Sequence, residues 1–312
     1  MPRLRRVDPT SNGWTRRRRG RGFAYLDHEG QRLSPEDSAQ CKALVIPPAW
    51  VDVWISPHPN GHIQAVGTDE AGRRQYLYHP QWREQRDAEK FDRVLDFGRS
   101  LPAARKLAER HLALPGMPFE RSLAAAFRFL DLGGLRVGGE AYEGTGLATL
   151  RRDHTSTRHG VIRLRFTGKS GKDHDLIIDD AELLAVVRTL LRRRGGGEEL
   201  LAYKSDGVWR DVTSADINAY LSQIGVLGTA KDFRTWQAGL RALSQLAGAD
   251  GSKRAVTQAM QAAAEHLGNT PAIAKNSYVD PRLVQAYWDG DLPDHDAEQL
   301  HEWEPALFEV LG

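Results

Sequence analysis

The sequence predicts an α+β fold: a small, mostly β N-terminal domain followed by a larger, mainly α-helical domain that carries one small antiparallel sheet. Three observations predict it. Between Phe23 and Tyr78 short strand-like runs alternate with Pro- and Gly-rich turns. From Phe91 onward apolar residues recur at three- and four-residue spacing. One stretch near the middle breaks that rhythm and alternates like a hairpin. At 312 residues the chain is also long enough for two cores.

Taken in order, residues 1–22 are rich in Arg and Gly without periodicity and read as a basic flexible arm. Residues 23–90 form the β-rich N-terminal domain. Its strands are Phe23 to Leu26, Val51 to Ile55 and His62 to Val66, and Gly72 to Tyr78 closes it with a turn and a short strand. A boundary near residue 90 opens the helical domain, 91–312. Helices are expected over Phe91 to Ser100, Ala103 to Ala113 and Ser122 to Leu132, and again over about 181–194, 214–224, 234–248 and 252–267. The hairpin alternates at Ile162, Leu164 and Phe166, turns through Gly168-Lys169-Ser170-Gly171-Lys172, and resumes at Leu176 and Ile178. Asp280-Pro281 starts a further helix, with the cap at Asp280 and proline in the first turn.

Composition narrows the class. Hydrophobic content is 40% with 8 Trp, so the chain can build real cores. No apolar run approaches the roughly 20 residues that span a bilayer. Met1-Pro2-Arg3-Leu4-Arg5-Arg6 lacks an apolar h-region, which predicts no signal peptide. Cys41 stands alone, and no Cys/His spacing suits zinc. A reduced, cytoplasmic home is expected, away from membranes.

The net charge of +2 hides an asymmetry. Residues 279–312 hold nine acidic side chains against Arg282, a net of −8, which leaves +10 on residues 1–278. The first 25 residues alone carry +7. A basic body of this kind suits a polyanion, nucleic acid above all.

Some residues stand out as chemistry. Tyr278 follows Lys275, Asn276 and Ser277 and precedes a helix start, so its hydroxyl is presented at a seam rather than packed. Arg136 lies between an apolar helix end and Gly138-Gly139, Lys169 sits in the hairpin tip, and Arg234 opens an amphipathic helix. Asn269 begins the turn nine residues before Tyr278. Each is commonplace alone. Converging cations would turn Tyr278 into a nucleophile aimed at a phosphate.

Arg136-Val137-Gly138, Gly168-Lys169, Lys231-Asp232-Phe233-Arg234-Thr235 and Thr270-Pro271 through Tyr278 follow in the order found in type IB DNA topoisomerases. The chain resembles the poxvirus-like and bacterial branch of that family from about Phe23 to Trp288. The resemblance implies a monomer of two lobes clamped on double-stranded DNA, with no cofactor and no metal, and a nucleoid-associated location. It implies that Tyr278 attacks a phosphodiester, links to the 3′ phosphate and releases a 5′-OH. Arg136 and Arg234 then clamp the non-bridging oxygens, and Lys169 is the general acid on a mobile hairpin tip. It also implies DNA contacts from Arg74, Gln75, Tyr76 and Tyr78 in the major groove and from Tyr142 and Lys231 at phosphates. One position departs: Asn269 stands where the family usually has histidine. An amide cannot titrate usefully, but its NH2 can donate to a phosphate oxygen. Rival readings are a tyrosine recombinase, which usually carries His-x-x-Arg where this chain has Lys231, and a non-catalytic DNA-binding protein of the same fold.

Overall fold

Alternation in the first ninety residues builds one antiparallel sheet. In the computed structural model, which describes residues 3–139 and 144–312, strands β1 (Trp14–Arg19), β2 (Gly22–Leu26), β3 (Val51–Ile55), β4 (Ile63–Thr68) and β5 (Arg74–Tyr78) are ordered β2-β1-β3-β4-β5. Helix α1 (Pro35–Ala43) is capped by Ser34, whose hydroxyl accepts from the Asp37 N–H, and buries Cys41. The inward residues Tyr25, Val53, Ile55 and Ala65 make a small core with Cys41.

The flexible-arm expectation fails for residues 14–19. Trp14 pairs with Ile55, and Thr15 through Arg19 pair with β2. The Arg16 guanidinium donates to the carbonyls of Ile46, Pro47 and Trp50 at 2.7–2.9 Å and lies over the Phe23 ring. An arginine run is thus compatible with a strand when one side chain finds fixed acceptors.

The chain divides into two compact units, Met1–Lys90 and Phe91–Gly312. Helix α2 (Pro80–Leu112) begins in the first and continues into the second. The sequence predicts a break between Ser100 and Ala103, yet the helix runs through Pro102. A proline inside a helix costs about 3 kcal/mol. Phe97, Leu101, Ala104 and Ala108 are fully buried on its core face. At about 1.5–3 kcal/mol for each large side chain, that burial outweighs the lost bond.

The second unit is helical around one core. Its helices are α3 (Phe119–Gly133), α4 (Ala181–Arg192), α5 (Ser214–Gln223), α6 (Ala230–Leu246), α7 (Lys253–Leu267), α8 (Pro271–Ser277), α9 (Pro281–Asp289) and α10 (Glu304–Leu311). Strands β6 (Thr155–Ser156), β7 (Ile162–Thr167) and β8 (Asp173–Ile178) form a three-stranded sheet, and β9 (Ala202–Ser205) pairs with β10 (Val208–Asp211). The predicted hairpin is β7–β8, in register Ile162↔Ile178, Leu164↔Leu176 and Phe166↔His174.

Aromatic rings tie α2, α3 and α6 together, with Phe97 and Phe127 4.8 and 5.6 Å from Phe233. Arg105 donates to both Asp131 and Glu304, and Trp236 Nε1 donates to Glu304. The acidic tail is therefore partly structural: Glu304 docks α10, and Asp280 caps α9 while pairing with Arg282.

Candidate active site

Helix ends place most of the candidate residues. Helix α3 stops at Gly134 in the left-handed conformation, and Leu135 buries itself so that Arg136 follows at the rim of a cavity. Helix α7 stops at Gly268 with φ +62°, where the chain turns back and the Asn269 N–H donates to the Ala264 carbonyl at 2.8 Å. Thr270 then caps α8 with Pro271 at its first position, and Tyr278 ends that helix just before Asp280 caps α9. The tyrosine sits at a seam between two short helices, as its flanking residues predict. Gly171 and Lys172 close the hairpin turn through bonds to Gly168, leaving Lys169 exposed at the tip.

These segments converge. Arg136, Lys169, Lys231, Arg234, Asn269 and Tyr278 all line one cavity of about 920 Å³. Arg234 is 3% exposed; Nη1 donates to the Gly134 carbonyl at 2.6 Å and Nη2 to the Leu267 carbonyl at 2.9 Å. Its Nε is buried without a partner among the described residues, and the guanidinium carbon lies 5.2 Å from the Tyr278 ring centroid. Arg234 is not engaged by the nearby Asp232. Asp232 instead caps α6 at Thr229 and pairs with Arg93 at 3.1 Å, which fixes the helix start and turns Arg234 inward.

Asn269 is 7% exposed and its two amide atoms differ. Oδ1 accepts from Arg136 Nη2 at 2.8 Å, whereas Nδ2 is buried with no partner among the described residues. An orphan buried amide donor is costly unless a ligand satisfies it. Asn269 lines the cavity beside Arg136 and Arg234, a setting that fits an anion.

Charge tunes the tyrosine. Burial raises the Tyr278 pKa, but Arg234, followed by Arg136 and Lys231, lowers it further, and the net shift is below the ordinary phenol value. The phenolate is thereby stabilised where it would act.

Lys172 escapes sequence reasoning. It lines the cavity with Lys169 and donates to the Asn269 backbone carbonyl. The only signal was a second lysine in the same turn. His266 faces Gln237, to whose Oε1 it is hydrogen-bonded, and it does not line the tyrosine cavity. Burial first, then Arg241 and Arg234, push its pKa down to about 3.

The DNA-contact candidates divide. On edge strand β5, Arg74, Tyr76 and Tyr78 alternate outward on one face, with the two tyrosine rings stacked 6.1 Å apart. Gln75 lies on the other face and donates to Asp69 at 2.8 Å. Lys231 is exposed at the cavity rim. Tyr142 lies outside the described residues. Among the described residues no helix is long and apolar enough to cross a membrane, and no cluster of three His, Cys, Asp or Glu could hold a metal.

Known proteins are similar to this chain over most of its length. A family model described as eukaryotic DNA topoisomerase I, catalytic core, matches residues 79–287, and one described as bacterial DNA topoisomerase IB, N-terminal domain, matches residues 22–69. A DNA topoisomerase 1B of Acanthamoeba polyphaga mimivirus is 31% identical over 285 residues, covering 85% of this chain and 84% of the relative. A DNA topoisomerase 1B of Vaccinia virus (strain Copenhagen) is 23% identical over 243 residues, 73% of this chain and 74% of the relative.

Proposed function

The chain belongs to the type IB DNA topoisomerase family, and we propose that it relaxes supercoiled duplex DNA by cutting one strand through Tyr278 and resealing it without ATP or metal. The Tyr278 Oη–P bond forms as the P–O5′ bond breaks, leaving a 3′-phosphotyrosyl link. The tyrosine proton passes to solvent, and the departing 5′ oxygen takes a proton from the Lys169 ammonium. Arg136 and Arg234 hold the non-bridging oxygens, where charge grows as the phosphorus becomes five-coordinate. Religation reverses these steps with the 5′-OH as nucleophile, so bond energy is conserved throughout.

Support comes first from the orphan Asn269 amide. Its Oδ1 is engaged by Arg136, which orients Nδ2 as a donor while one arginine Nε nearby is also unpartnered. Three preorganised donors around one phosphate need no titrating histidine. The strand face of Arg74, Tyr76 and Tyr78 is the proposed groove contact, with Lys231 and Tyr142 at phosphates.

Negatively and positively supercoiled plasmids incubated with the protein in EDTA, without nucleotide, are expected to relax completely. A requirement for divalent metal or ATP would refute the scheme.

A further inference from the structure

The hairpin bearing Lys169 and the turn bearing Asn269 meet at one imidazole. His174, opposite Phe166 in the β7–β8 register, stacks on that ring with centroids 4.7 Å apart and planes within 5°. Its edges run against two glycines. A methyl added at Gly168 would fall 2.7 Å from His174 Nε2, and one added at Gly268 would fall 2.1 Å from Cε1. Only glycine admits the ring at both points. Gly168 directly precedes Lys169, and Gly268 directly precedes Asn269. Lys172 makes a second tie from the same hairpin to the Asn269 carbonyl.

We propose that His174 is a positioning residue whose ring, held flat by Phe166, sets the spacing between Gly168-Lys169 and Gly268-Asn269 and thereby places Lys169 against the scissile phosphate. The turn is the fixed partner, since α7 holds Asn269 through the Ala264 carbonyl and Arg136 holds its side chain. The hairpin tip is the part that would shift if the ring were lost. Shape rather than charge does this, because burial and the cations Arg136, Arg234 and Lys172 push the His174 pKa down to about 4 and keep it neutral. The inference rests on the assignment of Lys169 and Asn269 to the active site.

Single-turnover cleavage by four variants tests it. His174→Ala is expected to slow cleavage by ~10- to 100-fold, the scale of a 1 Å misplacement. His174→Phe, which keeps a flat ring, should recover to within about 3-fold of wild type. If His174 acts through Lys169, adding His174→Ala to Lys169→Ala should cost no more than about 3-fold beyond Lys169→Ala alone. Should His174→Ala fail to fold, Gly168→Ala serves instead. Gly168 has an ordinary φ of −91°, and the added methyl displaces the ring directly. It should slow the wild type yet cost little in the Lys169→Ala background. Near-wild-type cleavage by His174→Ala, additive losses in the double variant, or a His174→Phe rate as low as that of His174→Ala would each overturn the inference. Rapid cleavage by Lys169→Ala itself would instead remove the Lys169 assignment, and this inference with it.

Discussion

The proposed scheme assigns the chemistry to single residues, and their surroundings separate catalytic from structural cost. Arg136→Ala and Arg234→Ala should each slow cleavage by at least ~10²-fold, the order found for deleting one preorganised transition-state donor. Their stabilities should diverge. Arg234 satisfies two buried carbonyls, so its loss should lower the melting temperature, while Arg136, bonded to a side chain at the rim, should leave it nearly unchanged. Lysine should rescue neither, since one ammonium cannot copy the fork. Near-normal cleavage in either alanine variant would take that arginine out of the site. Asn269→Ala should also cost on the order of 10²-fold, whereas Asn269→His should keep most activity because an imidazole N–H can replace the amide donor. Matching pH–rate profiles for Asn269 and its histidine variant across pH 6–8 are expected; a new ionisation near 6.5 in the variant would show that this position titrates.

At the scale of elements, the hairpin and α7 make separate predictions. A 5′-bridging sulfur leaves as thiolate and needs little protonation, so Lys169→Ala should cleave that substrate far better, relative to wild type, than the natural one. Equal defects on both would make Lys169 a phosphate contact only. His266 on α7 is neutral in the fold with a pKa near 3, against about 6.5 when unfolded. Its unfolded form therefore binds the extra proton as pH falls, so the stability it allows is complete above about pH 6.5 and is lost below it. The loss is at most roughly 1.4 kcal/mol per pH unit. Melting curves from pH 7 to 4.5 should fall less steeply for His266→Gln, and parallel curves would discount the histidine. These elements also mark what the sequence could and could not reveal. The hairpin, α6, α7 and the Asp280-Pro281 start of α9 were legible because alternation, 3.6-residue spacing and caps are local signals. Pro102 misled because burial of Phe97 and Leu101 is non-local, and Trp14–Arg19 was misread because the carbonyls that hold Arg16 lie about thirty residues away. Tyr278, Arg136 and Arg234 were legible as a set through their order. Lys172 and His174 were not, because Gly268 and Asn269, which they meet, lie about a hundred residues away in sequence.

For the whole molecule, one cavity is lined by Tyr278 together with residues from distant stretches of the chain, Arg136, Lys169, Lys231 and Asn269 among them. A tyrosine that served only the fold would not need two arginines, a lysine and an orphan amide around it. Tyr287, the next tyrosine along, is 7% exposed, and its hydroxyl is bonded to the Ser252 carbonyl, so it is poorly placed to substitute. The most direct test traps the covalent complex on a nicked suicide duplex and maps the modified residue by mass spectrometry, with Tyr278→Phe beside it. The wild type should carry DNA by its 3′ phosphate on Tyr278, and the variant should bind DNA within a few-fold of wild type yet form no adduct. An adduct on another residue, a 5′ linkage, or relaxation by Tyr278→Phe above trace levels would contradict the account.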